Sequence, residues 1–523
     1  MARFVQKKFG LTLALVALTI WAIGARVSSN PQSTQPKIAL APKSIAGTRA
    51  DFDTALAHDI DQLIDNSDSA KARWGVFVMS LKDDRVLYSR DGDKLFTPAS
   101  NMKIYTTAVA LDLLGADYRW RTSVYASTQP NGDGVIDGDL ILYGRGAPDL
   151  DSKNPDSLPA LADELRVRGV RRVTGRIIGD ESYFRGEQYG IGWQWNDLQW
   201  YYGAQPSALS IDENAVEVTL GPGNKSPGPA SVVVTPNDDR LQVTNNATTA
   251  ERDATTTVGI QRSLSNNDVV VWGEFPIGGH AYSAFLSVHN PALRAATTFK
   301  QLLSARGIQV ADDLATRDFR APESQRFDPQ NGIELAYIES APLASIVRTT
   351  NKESNNLYAE LIFRALGKEK GASVPDPDPR KNAARGDDEA GVAVVKKWLS
   401  DHHIDATSLA LHDGSGLSRL DLITPESAVR LLAVALQTSW HQNFYDSLPV
   451  AGHDGTLQGR LKNITGRVVA KTGSLTYDHS LSGYATTQSG DVLVFSIICN
   501  DATDETHPVR TIDGLVTRIS DGR

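Results

Sequence analysis

Residues 97–103 read TPASNMK, and they place a serine and a lysine three positions apart where a helix begins. Thr97 and Pro98 have the form of an N-cap followed by a proline in the first turn. Side chains at positions i and i+3 share one face of a helix, so Ser100 and Lys103 lie side by side. The positive end of the helix dipole opposes a cation there, which lowers the pKa of Lys103 and favours a neutral amine beside a hydroxyl nucleophile. Alone, the pattern also fits two exposed side chains on a helix.

Two further short motifs follow much later in the chain. Residues 354–356 read SNN, an S-x-N motif, and they precede an apolar run, so a helix N-cap is their simplest interpretation. Residues 471–473 read KTG and follow the apolar residues 468–470, which predict a strand. A lysine at a strand edge often only prevents aggregation, whereas a glycine there lets a ligand approach the backbone closely. Neither motif is informative alone.

The order of the motifs, S-x-x-K, S-x-N and K-T-G, is the signature of penicillin-binding proteins and class A β-lactamases. The long separation of the first two motifs leaves room for an insertion, which a class A β-lactamase does not have. The chain therefore resembles the class C low-molecular-mass penicillin-binding proteins, the D-alanyl-D-alanine carboxypeptidase/endopeptidase family, which carry a β-rich insertion at this place. Four more stretches resemble the same family: residues 352–360, 413–419, 448–452 and 454–457.

The resemblance implies an acyl-enzyme mechanism and a set of catalytic residues. Ser100 Oγ attacks the carbonyl carbon of the penultimate D-alanine, and Lys103 accepts the proton of the hydroxyl. Ser354 passes a proton to the leaving D-alanine amine. The backbone N–H groups of Ser100 and Ser474 form the oxyanion hole, in which preorganised donors stabilise the developing negative charge.

The same resemblance implies which residues bind the substrate. Asn356 holds an amide of the substrate and helps to orient Lys103. Lys471 supplies positive charge near the terminal carboxylate, and Thr472 donates a hydrogen bond to that carboxylate. Gly473 completes the motif and allows the ligand to lie against the strand.

The implied function is that of a serine-type D-Ala-D-Ala carboxypeptidase, a D,D-endopeptidase or both, acting on peptidoglycan stem peptides. The expected partners are peptides that end in D-Ala-D-Ala and β-lactam antibiotics, because penicillin acylates such a serine. Two alternatives stay open. A β-lactamase or esterase on the same fold needs fast deacylation, and a non-catalytic wall-binding protein predicts decay of at least one motif, whereas all three are intact.

Composition and charge exclude several other classes of protein. The chain has 523 residues, of which 41% are hydrophobic, so bulk disorder is excluded. Its net charge of −9 argues against general nucleic-acid binding. The single cysteine, Cys499, leaves no disulfide framework, and the ten histidines show no metal-binding spacing. We therefore expect no cofactor and no metal, and we expect Cys499 to be a buried, inert thiol.

The N-terminus has the pattern of an export signal. A basic start with Lys7 and Lys8 precedes the apolar residues 11–24 and small residues suited to cleavage. Residues 1–25 are thus a signal peptide or an uncleaved single-span anchor, and residues 26–50 form a polar tether. We expect an exported protein, periplasmic or otherwise extracytoplasmic, that meets the membrane only through this segment.

The pattern of elements predicts an α+β, multidomain protein. Helical and strand patterns in residues 51–119 resume in residues 335–523, so these segments form one discontinuous penicillin-binding domain. The resemblance implies the β-lactamase-like transpeptidase fold, an antiparallel sheet flanked by helices. Residues 120–334 are a β-rich insertion of two subdomains, with one helix at 158–168. Because all three motifs lie outside the insertion, we expect it to contribute nothing to the chemical step.

Two further groups of residues have competing interpretations. Aromatic residues cluster at 193–202 and could stack on the sugar rings of glycan strands, although packing is the better interpretation. His412, Asp413 and Ser415 could suggest a second catalytic triad, but the sequence Asp-Gly-Ser-Gly is typical of a turn.

Overall fold

The computed structural model describes residues 49–236, 240–311 and 313–522. The predicted signal or anchor segment, 1–25, lies outside these residues. So does the predicted tether, 26–50, except for its last two residues, which begin the first helix. Within the described ranges, no helix is long and apolar enough to cross a membrane.

The strands and helices of the described residues are numbered in chain order. The strands are β1 (Arg73–Ser80), β2 (Val86–Arg90), β3 (Arg121–Ala126), β4 (Val135–Ile136), β5 (Leu140–Tyr143), β6 (Arg172–Val173), β7 (Ile177–Asp180), β8 (Ala215–Gly221), β9 (Gly228–Pro229), β10 (Ser231–Thr235), β11 (Gln242–Ala250), β12 (Thr257–Arg262), β13 (Asp268–Pro276), β14 (Tyr282–Ser287), β15 (Gln309–Val310), β16 (Leu314–Arg317), β17 (Ile333–Glu339), β18 (Val468–Leu475), β19 (Asp478–Thr486) and β20 (Val492–Asn500). The α-helices are α1 (Arg49–Asp65), α2 (Met102–Leu113), α3 (Leu158–Val167), α4 (Pro291–Ala305), α5 (Leu343–Lys352), α6 (Asn356–Lys370), α7 (Pro379–Ala384), α8 (Asp387–Asp401), α9 (Pro425–Ala435), α10 (His441–Ser447) and α11 (Pro508–Ser520).

The central sheet is antiparallel throughout, with the strand order β18-β19-β20-β1-β2. Alternation along β1 places Val76 and Val78 in one core with helices α1 and α11. It places Phe77 and Met79 in another core with helices α2, α6 and α9. Each such fully buried side chain contributes about 1.5–3 kcal/mol of burial free energy, so both faces of the sheet are stabilised by a helical layer. The predicted antiparallel sheet flanked by helices is confirmed.

Two separate helices lie before and after the S-x-N motif. Helix α5 ends at Lys352 and helix α6 begins at Asn356. Asn355 caps α6, since its Oδ1 accepts a hydrogen bond from the N–H of Tyr358 at 3.1 Å. The N-cap interpretation is therefore correct for this residue, and the motif lies in a short loop between two helices.

The insertion contains two hydrophobic cores, as the prediction of two subdomains requires. The first core lies between the sheet β16-β7-β5-β3-β17 and helices α3 and α4, and it is joined by the small sheet β15-β6-β4. The second core lies between the sheets β10-β8-β14 and β12-β13-β11-β9, with Val218 and Val271 fully buried. The predicted fold class, an α+β protein with a β-rich insertion, is confirmed.

One prediction about the insertion is wrong, because it holds a second helix, α4, in addition to α3. Asn290 caps α4 by accepting a hydrogen bond from the N–H of Leu293, and Pro291 is the first residue of the helix. An asparagine followed by proline is a favourable helix start. The signal was thus present in the sequence, but the strands on either side of it dominated the interpretation.

The two ends of the predicted insertion lie next to each other. The N–H of Ser340 donates to the carbonyl of Trp120 at 2.9 Å, and Ser340 Oγ accepts from the N–H of Trp120 at 3.0 Å. Adjacent entry and exit points are what an inserted domain requires. Strand β17 crosses the predicted boundary at residue 334 and pairs with β3, so we propose that the insertion ends after Glu339.

Candidate active site

Ser100 lies in a single 3-10 turn, Ala99–Asn101, that leads directly into α2. The side chain of Asn101 ties this turn to the central sheet. Its Nδ2 donates to the carbonyl of Lys471 at 3.1 Å and to Ser480 Oγ at 2.6 Å. The serine is thus fixed where the start of α2 meets strands β18 and β19.

Lys103 is fully buried in the first turn of α2 and makes three hydrogen bonds. Its Nζ lies 3.0 Å from Ser100 Oγ, 2.6 Å from Asn356 Oδ1 and 2.7 Å from the carbonyl oxygen of Ser415. Burial lowers the pKa of Lys103 to about 7, against the opposing charge of two nearby carboxylates. The direction agrees with the sequence-based expectation, but the main cause is burial and not the helix dipole.

The S-x-N motif joins the other two motifs. Ser354 has a φ of 60°, in the left-handed region that residues with a side chain rarely adopt. Its Oγ accepts a hydrogen bond from Lys471 Nζ at 2.9 Å. The amide of Asn356 is held at both ends, because Oδ1 accepts from Lys103 Nζ and Nδ2 donates to the carbonyl of Tyr202 at 2.9 Å.

The K-T-G motif lies inside β18, which is longer than predicted because it continues to Leu475 and pairs with β19 across the whole motif. Lys471 is fully buried. Burial, together with the charge of Lys103, lowers the pKa of Lys471 well below its usual range. Thr472 Oγ1 lies 2.7 Å from Thr456 Oγ1, so the two hydroxyls share a hydrogen bond.

Gly473 is required at the point where β18 passes Ser100. A Cβ at this position would lie 2.7 Å from the carbonyl oxygen of Pro98 and 3.0 Å from the nitrogen of Ser100. Ser474 follows in the strand with an exposed side chain. The two predicted oxyanion donors, the N–H groups of Ser100 and Ser474, therefore belong to adjacent backbone segments.

The chain matches the model of one protein family over residues 56–521, from the first described helix to the last. It belongs to the D-Ala-D-Ala carboxypeptidase 3 (S13) family. The D-alanyl-D-alanine carboxypeptidase of Actinomadura sp. (strain R39) is 33% identical over 481 residues, which cover 90% of this chain and 85% of the relative. The D-alanyl-D-alanine carboxypeptidase DacB of Haemophilus influenzae is 26% identical over 429 residues, covering 80% of this chain and 84% of the relative.

A solved structure shares the fold of this S13 protein. The crystal structure of penicillin binding protein 4 (dacB) from Haemophilus influenzae matches it with a TM-score of 0.73 at 24% identity, covering 88% of this chain and 98% of that chain. Family membership confirms the resemblance drawn from the three motifs. The protein is a serine-type D-Ala-D-Ala carboxypeptidase, as the sequence predicted.

In this S13 protein, the turn at residues 413–416 supplies an acceptor that the sequence analysis did not foresee. The carbonyl of Ser415 accepts from Lys103 Nζ. Glu360 holds the turn in place, since its Oε1 accepts from the N–H groups of Gly414 and Ser415 at 3.0 and 2.9 Å. Residues 413–419 resemble the family in sequence, but the use of a backbone carbonyl has no signal in the sequence.

The alternative triad is not formed. Ser415 is fully buried, and its Oγ lies 3.4 Å from Asp413 Oδ2. His412 meets this cluster through its backbone N–H, which donates to Asp421 Oδ1 at 2.6 Å. Asp413 Oδ1 accepts from the N–H of Gly416 at 2.6 Å, which closes the turn. The interpretation of this stretch as a turn is confirmed.

The remaining candidates are Cys499, the aromatic cluster at 193–202 and possible metal ligands. Cys499 is buried in β20, and burial raises the pKa of its thiol to about 12, as expected for an inert thiol. In the aromatic cluster, Trp193 Nε1 donates to Asp413 Oδ2 at 2.8 Å, whereas Trp195 is 69% exposed. Among the residues that the structure describes, no group of three His, Cys, Asp or Glu side chains is placed to hold a metal ion.

Proposed function

We propose that Ser100 is the nucleophile and Lys103 the general base of this carboxypeptidase. The arrangement of acceptors around Lys103 Nζ carries the proposal. A neutral amine has two N–H donors and one lone pair. Asn356 Oδ1 and the carbonyl of Ser415 take the two donors, which leaves the lone pair for Ser100 Oγ at 3.0 Å. A pKa of about 7 keeps a large share of the amine in this form near neutral pH.

The chemical steps follow from these positions. Ser100 Oγ bonds to the carbonyl carbon of the penultimate D-alanine while the hydroxyl proton passes to Lys103. The N–H groups of Ser100 and Ser474 stabilise the oxyanion, at about 3 kcal/mol for each donor. Collapse of the tetrahedral intermediate breaks the C–N bond, and the leaving D-alanine amine receives its proton through Ser354. Water then hydrolyses the ester, which frees Ser100 and releases the shortened peptide.

Strand β18 supplies the recognition of the substrate's terminal carboxylate. Lys471 is buried beside Ser354 without a carboxylate partner among its hydrogen bonds in the described residues, so an incoming carboxylate stabilises its ammonium form. Thr472 Oγ1 donates to the same carboxylate while it accepts from Thr456 Oγ1. A peptide that ends in a free carboxylate therefore fits this strand better than one with a neutral end.

The same site supports D,D-endopeptidase activity and acylation by β-lactams. In a peptidoglycan cross-link, the leaving amine belongs to a neighbouring stem peptide, and the bond to be broken is again a D-alanyl amide. A β-lactam offers Ser100 a strained amide and offers Lys471 and Thr472 a carboxylate. Penicillin binding protein 4 of Haemophilus influenzae has been crystallised in complex with a novel β-lactam.

Mass spectrometry after incubation with penicillin tests these roles. We expect one penicillin adduct per chain, on the peptide that contains Ser100, and no adduct in Ser100→Ala. Ser415→Ala is the control, since Ser415 Oγ is buried and should not be acylated. An adduct that survives Ser100→Ala, or one that maps to Ser415, would show that the nucleophile has been misassigned.

Digestion of purified cross-linked muropeptides then separates the possible activities. Release of free D-alanine measures carboxypeptidase activity, and conversion of dimers to monomers measures endopeptidase activity. Persistence of the penicillin adduct for many turnovers of peptide distinguishes both from a β-lactamase, which needs fast deacylation. An adduct that is lost as fast as it forms would favour the β-lactamase alternative.

We also propose that the protein is exported. The basic and apolar pattern of residues 1–25 supports this, and a peptidoglycan substrate lies outside the cytoplasm. Expression of the full chain in a bacterium, followed by cell fractionation and N-terminal sequencing, tests the proposal. A new N-terminus near residue 25 indicates cleavage, and an intact chain in the membrane fraction indicates an anchor. An intact chain in the cytoplasm would contradict export.

A further inference from the structure

Two hydrogen bonds join the insertion to the S-x-N motif of the active site. Tyr202 lies in the 3-10 turn Tyr201–Gly203, and its carbonyl accepts from Asn356 Nδ2 at 2.9 Å. Glu213 Oε2 accepts from Asn355 Nδ2 at 2.9 Å. Both contacts fall on the S-x-N loop, although all three catalytic motifs lie outside the insertion in sequence.

The segment that carries Glu213 has a strained backbone. Asp212, Glu213 and Asn214 have φ angles of 48°, 54° and 51°, which makes three left-handed residues in succession without a glycine. Such conformations normally occur singly in L-residues, so the surrounding structure must hold this turn in place. Asn214 is fully buried, and its Nδ2 donates to the carbonyl of Gln205 at 2.9 Å and to Ser210 Oγ at 2.8 Å. The turn is therefore a fixed support for Glu213.

The S-x-N loop is constrained in a matching way. Asn355 Oδ1 caps helix α6 through the N–H of Tyr358, which leaves Nδ2 for the carboxylate of Glu213. Ser354, which precedes Asn355, also has a left-handed backbone conformation, with a φ of 60°. Two strained segments, one from each domain, thus meet at a single hydrogen bond between Glu213 and Asn355.

The carbonyl of Tyr202 decides which end of the Asn356 amide faces Lys103. With Nδ2 donating to Tyr202, Oδ1 is left to accept from Lys103 Nζ, 2.6 Å away. A flipped amide would set its NH2 group against the N–H donors of Lys103. The lone pair of the amine would then lose its direction toward Ser100 Oγ.

We propose that the insertion is a positioning element of the catalytic site and that the Tyr202 carbonyl and the Glu213 carboxylate are its positioning groups. They hold the S-x-N loop so that Asn356 orients Lys103 for proton transfer. This proposal rests on the proposed roles of Ser100 and Lys103. It replaces the expectation that the insertion contributes nothing to the chemical step.

The first test displaces the turn that carries the Tyr202 carbonyl. In Gly203→Ala, the added Cβ would overlap the backbone carbonyl of Asp197, so the turn must shift. The measurement is the second-order rate constant of Ser100 acylation by a fluorescent penicillin, from about pH 5 to about pH 9. We expect a loss of about tenfold to a hundredfold. The midpoint of the pH profile should also move to lower pH, because the ammonium form of Lys103 loses an acceptor.

The second test changes the carboxylate of Glu213. Glu213→Ala removes the acceptor of Asn355 Nδ2 and should slow acylation about threefold to tenfold. Glu213→Gln keeps an acceptor oxygen at the same place and should restore most of the rate. Rescue by glutamine but not by alanine shows that the hydrogen bond to the loop matters, and not the negative charge.

Gly223→Ala is the matched control for damage to the insertion. Its added Cβ would overlap the carbonyl of Pro229, among the sheets of the second core, where no catalytic motif is touched. It should lower the melting temperature and leave the acylation rate and pH profile unchanged. Melting curves of all variants show which of them are folded at the assay temperature. If Gly203→Ala is not folded, the acylation rates of Glu213→Ala and Glu213→Gln test the proposal.

Two outcomes would overturn the proposal. One is a loss of acylation in Gly223→Ala as large as that in Gly203→Ala, which would mean that general destabilisation explains both. The other is wild-type acylation, with an unshifted pH profile, in folded Gly203→Ala and Glu213→Ala. Failure of the wild-type protein to acquire penicillin on Ser100 is a distinct result, because it contradicts the proposed function from which the positioning role follows.

Discussion

The site holds two fully buried lysines, and their surroundings differ in a way that separates their roles. Lys103 Nζ has three hydrogen-bond partners, and the charges of Asp413 and Glu360 oppose the effect of burial on its pKa. Lys471 Nζ meets only Ser354 Oγ and one backbone carbonyl among the described residues. The charge that acts on Lys471 is that of the other lysine, which lowers its pKa further.

Two lysines that are equally buried thus do not have the same chemistry. The acceptors around Lys103 satisfy a neutral amine and leave its lone pair facing the nucleophile, so this lysine is suited to exchange a proton. Lys471 has no anionic hydrogen-bond partner in the part of the chain that the structure describes, so it is suited to bind a carboxylate. The same substitution at the two positions should therefore have different consequences.

Lys103→Arg should have the largest effect. Arginine keeps the positive charge but does not lose a proton under physiological conditions, so it cannot act as the base. We expect the rate constant of Ser100 acylation by a fluorescent penicillin to fall about a thousandfold or more. Ser100→Ala sets the background of the assay. Acylation near the wild-type rate in Lys103→Arg would place the base elsewhere and remove the distinction between the two lysines.

The next largest change is expected when pH is varied and the acylation rate of the wild-type protein is measured. The pKa of Lys103 is lowered to about 7, and the proposed reactive form is the neutral amine. The acylation rate should therefore rise with pH, level off above about 7, and fall about tenfold for each pH unit below it. A rate that is independent of pH, or a midpoint near that of an ordinary exposed lysine, would show that Lys103 is not the group that titrates.

Lys471→Arg should cost less, about tenfold in kcat/KM on a D-Ala-D-Ala peptide, and mainly through KM. A guanidinium can still pair with the terminal carboxylate, although it must fit a fully buried position. Steady-state kinetics separate the two parameters, and a melting curve controls for folding. A loss in kcat as large as that of Lys103→Arg would mean that Lys471 also moves protons during the reaction.

The chemistry-bearing side chains could be predicted from the sequence because each lies in a short motif with a local spacing. Ser100 and Lys103 share a helix start, and Lys471 follows an apolar strand, so their elements are visible in the residues around them. The resemblance to the family then supplied the sheet that brings the motifs together. The structure places all three motifs within hydrogen-bonding distance of one another.

Asn356 could be predicted as a group that orients Lys103, but two other orienting groups could not, because they are backbone carbonyls. Every residue has one, so nothing in the sequence distinguishes the carbonyls of Ser415 and Tyr202 from any other. The left-handed turn at 212–214 was missed for a related reason, since it contains no glycine to indicate a positive φ. Sequence motifs thus supplied the candidate reacting groups of the site, and long-range packing supplies their orientation.

The smallest effect is expected from a substitution of one of the carboxylates near Lys103, since Lys471 has no such neighbour among its hydrogen bonds in the described residues. Glu360→Gln keeps an oxygen that can accept from the N–H groups of Gly414 and Ser415, so the turn beside Lys103 should persist. A negative charge favours the ammonium form, so its removal should lower the pKa of Lys103 and move the acylation midpoint to lower pH. The shift should be small because burial and the charge of Asp413 raise the pKa of Glu360 itself, which weakens its negative charge.

At high pH, where Lys103 is neutral in either protein, the acylation rate of Glu360→Gln should stay within about twofold of the wild-type rate. Glu164→Gln, on the exposed surface of α3, is the matched control and should leave the midpoint unchanged. A midpoint that moves to higher pH would contradict the electrostatic account of Lys103. A collapse of the rate comparable to that of Lys103→Arg, in a protein with an unchanged melting curve, would instead make Glu360 the base, since it is a titratable carboxyl that holds the same turn. The two buried groups with separate roles would then be Glu360 as the base and Lys471 as the carboxylate-binding group.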